Sequence, residues 1–135
     1  MTFLLDTNVL SEGARPRPDG RVTAWLREQR PDELFISVLT LGEIAFGAAA
    51  HARRDPIAGR RLSAWLASVR VSYGERTLGV TGEIAETWGN QRVRRSLPAV
   101  DGLLAATALI HGLTLVTRNE RDFADLDVPL LNPWP

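Results

Sequence analysis

Four acidic residues, Asp6, Glu43, Asp101 and Asp122, stand where the rest of the chain could bring them to one place. Asp6 directly follows the apolar run Phe3-Leu4-Leu5. Glu43 lies in the first turn of a helical pattern that follows the apolar run Leu34 to Val38. Asp101 opens the apolar stretch Gly102 to His111, and Asp122 follows the run Leu113 to Val116, beyond Thr117 and Asn119. Ionised carboxylates a few ångströms apart repel by several kcal/mol even at an effective dielectric of about 20. A site that gathers four of them needs neutralising, and a hard divalent cation is suited to it. Mg²⁺ or Mn²⁺ takes oxygen ligands, keeps several waters, and is typically held by one or two carboxylates plus a substrate phosphate. The lack of nearby His or Cys argues against zinc.

Each acid also has a purely local reading. Asp6 with Thr7 and Asn8 could form an Asx-turn. Glu43 stands three residues after Thr40, the spacing of a capping box. Asp101 could be the N-cap of the helix it opens, and Asp122 could be a solvated acid in the charged segment Arg118 to Asp127. The signal lies in the set and its common placement, not in any one member.

Composition removes several alternatives. There is no cysteine, which excludes disulfides, thiolate metal sites and cysteine nucleophiles. All sixteen basic residues are Arg. Without Lys there is no phosphate-binding P-loop and no Schiff-base chemistry. The formal net charge is zero, so nucleic-acid binding has to be local. The candidates for RNA or partner contact are Arg53, Arg54, Arg60 and Arg61, the densest basic group, and Arg92, Arg94 and Arg95, which precede Asp101. His51 and His111 read as residues that end helices. The tryptophans Trp25, Trp65, Trp88 and Trp134 read as core or dimer contacts.

The elements that must position these residues follow from periodicity. Strands are predicted at Phe3–Leu5, Leu34–Val38, around Arg76–Val80, at Leu113–Val116 and at Pro129–Leu131. Helices are predicted over 21–30, from Thr40 to about His51, through Leu62, Trp65, Leu66 and Val69, from a Thr81 cap to about Arg94, and from Asp101 to His111, where Gly112 stops the chain. Asp6 through Ser11 turns as a short helix or loop. Strands alternating with helices imply an α/β fold with a parallel sheet wrapped on both faces, within a single domain over 1–135. Ligands of such sheets bind outside the carboxyl ends of the strands, where three of the acids fall and which Asp101 can reach from its helix N-terminus. Met1 to Asp6 does not read as a signal peptide and no apolar stretch approaches a membrane span, so a cytoplasmic location is expected.

Four blocks carry a resemblance. Phe3-Leu4-Leu5-Asp6-Thr7-Asn8-Val9-Leu10-Ser11-Glu12 resembles the opening of PIN-domain ribonucleases, specifically the VapC-type toxins of toxin–antitoxin pairs and, within them, the FitB-like subgroup. Ser37 to Ile44, Asp101 to Ala108 and Leu115 to Phe123 resemble the second, third and fourth blocks, in the family's order and over nearly the whole chain. The resemblance implies a three-layer α/β/α PIN-like domain with Asp6, Glu43, Asp101 and Asp122 as its acidic quartet. It implies supporting polar residues at Thr7, Asn8, Thr117 and Asn119. The family's fourth block is its most variable, and Asp122 fits the version of this subgroup.

The resemblance further implies Mg²⁺, for which Mn²⁺ can substitute, and endonucleolytic cleavage of RNA. On that reading Asp6 and Asp101 are the main metal ligands, Glu43 and Asp122 bind directly or through water, and hydrolysis proceeds by metal-activated water. A homodimer and a neutralising VapB-type antitoxin are expected, with operator DNA bound only through the antitoxin. The helices at 21–30 and 40–70, with Trp25, Phe46 and Trp65, are the candidate antitoxin face. The alternatives are a non-enzymatic PIN-like binding or regulatory module and a single-strand DNA nuclease using the same acids.

Overall fold

The computed structural model describes residues 1–135. A five-stranded sheet runs β3-β2-β1-β4-β5, and every pairing in it is parallel. The strands are β1 (Phe3–Leu5), β2 (Leu34–Ser37), β3 (Thr77–Leu78), β4 (Thr114–Val116) and β5 (Leu130–Leu131). The helices are α1 (Thr7–Glu12), α2 (Gly20–Glu28), α3 (Val38–Arg54), α4 (Pro56–Tyr73), α5 (Gly82–Gln91), α6 (Ala99–His111) and α7 (Glu120–Phe123).

The central strand is short and wholly buried because both of its faces are covered. Phe3 and Leu5 enter one core with Val9, Val22, Ile36, Ile44, Val69 and Val116, which places α1 to α4 on that side. Leu4 enters a second core with Leu104, Ala105, Ala108, Leu115 and Phe123, which places α6 on the other. This is the three-layer α/β/α arrangement expected from the alternation of elements. Trp25 packs edge-on against Phe3 with ring centroids 5.0 Å apart, and so belongs to the first core. No helix is long and apolar enough to cross a membrane.

Two close approaches depend on glycine. A Cβ at Gly59 would stand 2.5 Å from the Ala52 Cβ, so the α3–α4 hairpin closes only because Gly59 has no side chain. A Cβ at Gly102 would stand 2.7 Å from the Trp88 ring, which lets α5 lie against α6 one residue from Asp101.

Several predicted boundaries move. The second strand ends at Ser37, whose hydroxyl accepts from Leu39 N–H at 3.0 Å and caps α3, so α3 begins at Val38 and not at Thr40. Thr40 is buried inside the helix, and the Thr40–Glu43 capping box does not form. The chain enters α6 at Ala99 with Pro98 as N-cap, so Asp101 is a first-turn residue and not the cap. In both places an earlier residue suited to starting a helix, a hydroxyl cap or a fixed proline φ, takes the start. α5 stops at Gln91, before the expected Arg94, and Asp122 lies in the four-residue helix α7.

Candidate active site

β1 ends at Leu5, and the next residue caps α1. Asp6 has extended backbone, and its side chain accepts the Thr7 N–H at 2.7 Å. Its other oxygen accepts the Thr117 hydroxyl at 2.8 Å and the Asn8 side-chain amide at 3.4 Å. Thr117 follows β4, the neighbour of β1, so the hydrogen bond spans the point where the strand order turns from one side of β1 to the other. The Thr117 hydroxyl also accepts the Asn119 N–H at 3.0 Å, which fixes its proton toward Asp6. Asp6 is only 5% exposed. Burial pushes its pKa up; the Thr117 and Thr7 hydrogen bonds pull it back; the charges of Glu43 and Asp122 push it up again.

Glu43 reaches the same place from α3. Its carboxylate accepts the Thr7 hydroxyl at 2.5 Å, and that hydroxyl also lies 3.4 Å from the buried Thr40 hydroxyl. Glu43 itself is exposed. Asp101 comes from the opposite layer, in the first turn of α6, where the helix dipole favours a carboxylate. Burial, then the charges of Asp6, Asp122 and Glu43, push the Asp101 carboxyl up to about 6. Asp122 stands near enough to act on both Asp6 and Asp101. The fold therefore gathers all four acids, from four separate stretches of chain, at the carboxyl edge of the sheet. Thr7, Asn8 and Thr117, with Asn119 behind Thr117, tie in Asp6 and Glu43, and Asn8 also accepts the Arg118 N–H at 3.5 Å.

The acids do not form a closed cage, because no three of them are gathered as ligands of a single ion. Their chemistry nevertheless fits Mg²⁺ or Mn²⁺: the donors are all carboxylate oxygens, and such ions need only one or two of them beside water and phosphate. Burial raises both Asp6 and Asp101, and neighbouring carboxylates add to it, Glu43 and Asp122 acting on Asp6, and Asp6, Asp122 and Glu43 acting on Asp101.

The arginines divide. Arg53, Arg54, Arg60 and Arg61 are exposed on the α3–α4 hairpin. Arg94 is tied to Asp127 at 2.8 Å, Arg95 to Asp125 at 2.7 Å, and Arg92 lies over the Trp88 ring at 5.2 Å. Those contacts fasten the segment after α5 rather than leave it free. Two residues escaped sequence reasoning. Glu12 is buried, accepting the Asp19 N–H at 2.8 Å and pairing with Arg15, and so closes the loop after α1. Arg118, read only as part of a charged run, stands over the Trp134 ring at 5.2 Å and lines a recess that reaches Asp122. For Glu12, the nearby Arg15 was a usable signal; for Arg118, the partner lies sixteen positions on and nothing local points to it.

Comparison with known proteins gives a consistent picture. The PIN domain family matches residues 3–129. Toxin FitB of Neisseria gonorrhoeae is 33% identical over 98% of this chain and 98% of its own. VapC ribonuclease Y4jK of Sinorhizobium fredii is 30% identical over 98% of this chain and 97% of its own. The crystal structure of FitAcB from Neisseria gonorrhoeae superimposes with a TM-score of 0.91 at 33% identity, covering 98% of this chain and 99% of that one.

Proposed function

The chain belongs to the PIN-domain family, and from that premise we propose that it is a divalent-metal-dependent endoribonuclease and the toxin of a toxin–antitoxin pair. The observation that carries the reading is the meeting of Asp6, Glu43, Asp101 and Asp122, from four stretches of chain, at the carboxyl edge of the sheet, near enough that neighbouring charge raises the Asp6 and Asp101 carboxyls. A cluster so costly to charge is useful when a cation completes it.

Asp6 and Asp101 would hold Mg²⁺ or Mn²⁺, with Glu43 and Asp122 engaging directly or through water. When bound, the ion supplies a nucleophilic water near neutral pH and offsets charge on the transition-state oxygens. The chain supplies the orientation. Thr117 and the Thr7 N–H hold the two oxygens of Asp6 in place, and the Thr7 hydroxyl holds Glu43. Burial of Asp6 keeps bulk water from its inner face. Single-domain organisation over 1–135, a homodimer and operator DNA held only through the antitoxin belong to the same proposal.

A VapB-type antitoxin is the proposed protein partner. What supports it is a groove of about 650 Å³ with Thr7 and Glu43 at one end and Ile44, Leu62 and Trp65 on its walls. An amphipathic segment laid in such a groove would cover the acids. Phe46 is 77% exposed on the same hairpin, whereas Trp25 serves the core.

The test is the chemistry of the cut ends. Cleavage should leave a 5′-phosphate and a 3′-hydroxyl, stop in EDTA and resume with Mg²⁺ or Mn²⁺. Asp6→Asn should abolish both cleavage and growth arrest on expression, with its fold intact by circular dichroism. Cyclic phosphate ends, or full activity in EDTA, would overturn the proposal; DNA cut in preference to RNA would replace its substrate.

A further inference from the structure

We infer that Arg118, held over Trp134, is a substrate-binding residue that contacts an RNA phosphate next to the one cleaved. The inference rests on the ribonuclease reading above. Its grounds are placement, freedom and orientation.

Placement comes from the sheet. Arg118 follows Thr117 at the end of β4, and Thr117 is hydrogen-bonded to Asp6. Trp134 follows β5, which pairs in parallel with β4, so both residues emerge at the carboxyl edge that carries the acids. A shallow recess of about 330 Å³ runs from Arg118 through Asn119, Glu120 and Arg121 to Asp122. Of the four acids it reaches Asp122, over a solvent-open surface.

Freedom sets Arg118, with Arg121 of the same recess, apart from the paired arginines, and of these two only Arg118 is also held over a ring. Arg15, Arg94 and Arg95 are each committed to a carboxylate, and Arg118 forms no ion pair. A cation that shares a recess with Asp122 and pairs with no carboxylate retains its donors for an outside anion.

Orientation is supplied by Trp134. The guanidinium lies over the ring at 5.2 Å, and the tryptophan is itself fixed, its backbone N–H donating to the Asn132 side chain at 2.9 Å while its ring packs against the first core. The ring contact restrains the position of the guanidinium and occupies none of its N–H donors, which stay available to a phosphate. The phosphate cleaved would lie at the acids, so a cation at the far end of the recess meets its neighbour on the strand. In a chain of zero net charge, such a local contact is how a polyanion can be held.

The test uses the full-length protein, a fluorescein-labelled mixed-sequence single-stranded RNA, and salt titration. In cleavage assays Arg118→Gln should raise KM about tenfold with kcat and Mg²⁺ affinity unchanged. In the cleavage-silent Asp6→Asn background it should weaken RNA binding by a similar factor and lower the salt slope by roughly 0.7. Arg118→Lys, which keeps the charge without the planar fork, should recover part of the loss. Trp134→Leu should reproduce much of it, and Trp134→Phe, which keeps a ring, should not. Arg70→Gln is the control, since Arg70 lies in the last turn of α4, which leads to β3 at the opposite edge of the sheet. If Arg118→Gln matches Arg70→Gln in KM and slope, the inference fails while the ribonuclease reading stands. A fall in kcat at unchanged KM, or loss of antitoxin capture with RNA binding intact, also overturns it. A wild-type protein that neither binds nor cuts RNA overturns both.

Discussion

Thr117 shows how much of the site depends on one hydroxyl. It donates to Asp6 at 2.8 Å and accepts from Asn119 N–H at 3.0 Å, in a wholly buried position. Thr117→Val keeps the shape and removes both bonds. Buried Asp6 would then lose a hydrogen bond that favours its charged form, a penalty of about 1–3 kcal/mol, while the N–H of exposed Asn119 could turn to water. Loss of such a supporting contact typically costs on the order of 10–100-fold in metal affinity or activity. The expected result is a weaker Mg²⁺ titration midpoint and a lower kcat for Thr117→Val, while Thr117→Ser stays close to wild type. Equal Mg²⁺ affinity in all three proteins would show that the hydroxyl only fills space.

Elements, rather than residues, set the distances between the acids. Asp6 and Glu43 arrive on the layer of α1 and α3, Asp101 on the layer of α6, and Asp122 on α7. The α3–α4 hairpin is closed at Gly59, where a methyl group would overlap Ala52 Cα at 2.7 Å as well as its Cβ. Since backbone is involved, no rotamer change relieves the overlap. Gly59→Ala should therefore destabilise the protein by about 1–3 kcal/mol despite its better helix propensity. Thermal unfolding reads this directly: a Tm equal to or above wild type would mean that the hairpin has slack. Gly47 lies in the same hairpin, and a methyl group there would meet nothing within 4 Å. It is the matched control, and Gly47→Ala should be neutral or stabilising.

At the scale of the whole molecule, the gathered charge makes stability depend on pH and on cation. Asp101 has a folded pKa of about 6 against 3.8 for an unperturbed carboxyl. Between those values the folded state binds more protons than the unfolded one, so stability falls as pH rises. The contribution is complete below about 4 and lost once pH passes 6; Asp6 is shifted in the same direction and adds to the trend. Metal-free protein should accordingly lose Tm between about pH 4 and 6 from this source, and little above that. Asp101→Asn should flatten that slope and raise Tm in EDTA at the upper end of the range. Mg²⁺ should raise the wild-type Tm there by binding the folded state, and do so far less for Asp101→Asn. A flat wild-type profile in EDTA, or equal Mg²⁺ stabilisation of both proteins, would refute the account.

The alternation of apolar runs with helical patterns was enough to specify an α/β fold, because strand and helix periods are local properties of a chain. The acids' place after strand ends was legible for the same reason, and the four blocks carried the family. Local signals failed where two of them competed: Thr40–Glu43 had capping-box spacing, but Ser37 stood earlier and took the cap. Asp101 looked like a cap until Pro98 started the helix. Only the tertiary structure decided that Asp6 meets Thr117 across 111 positions of chain. It also decided that Arg94 and Arg95 are spent on Asp127 and Asp125 while Arg118 lies free over Trp134. Charge pairing and the elevated carboxyl of Asp101 depend on through-space distance, which strand order sets, whereas sequence records only the types that can take part.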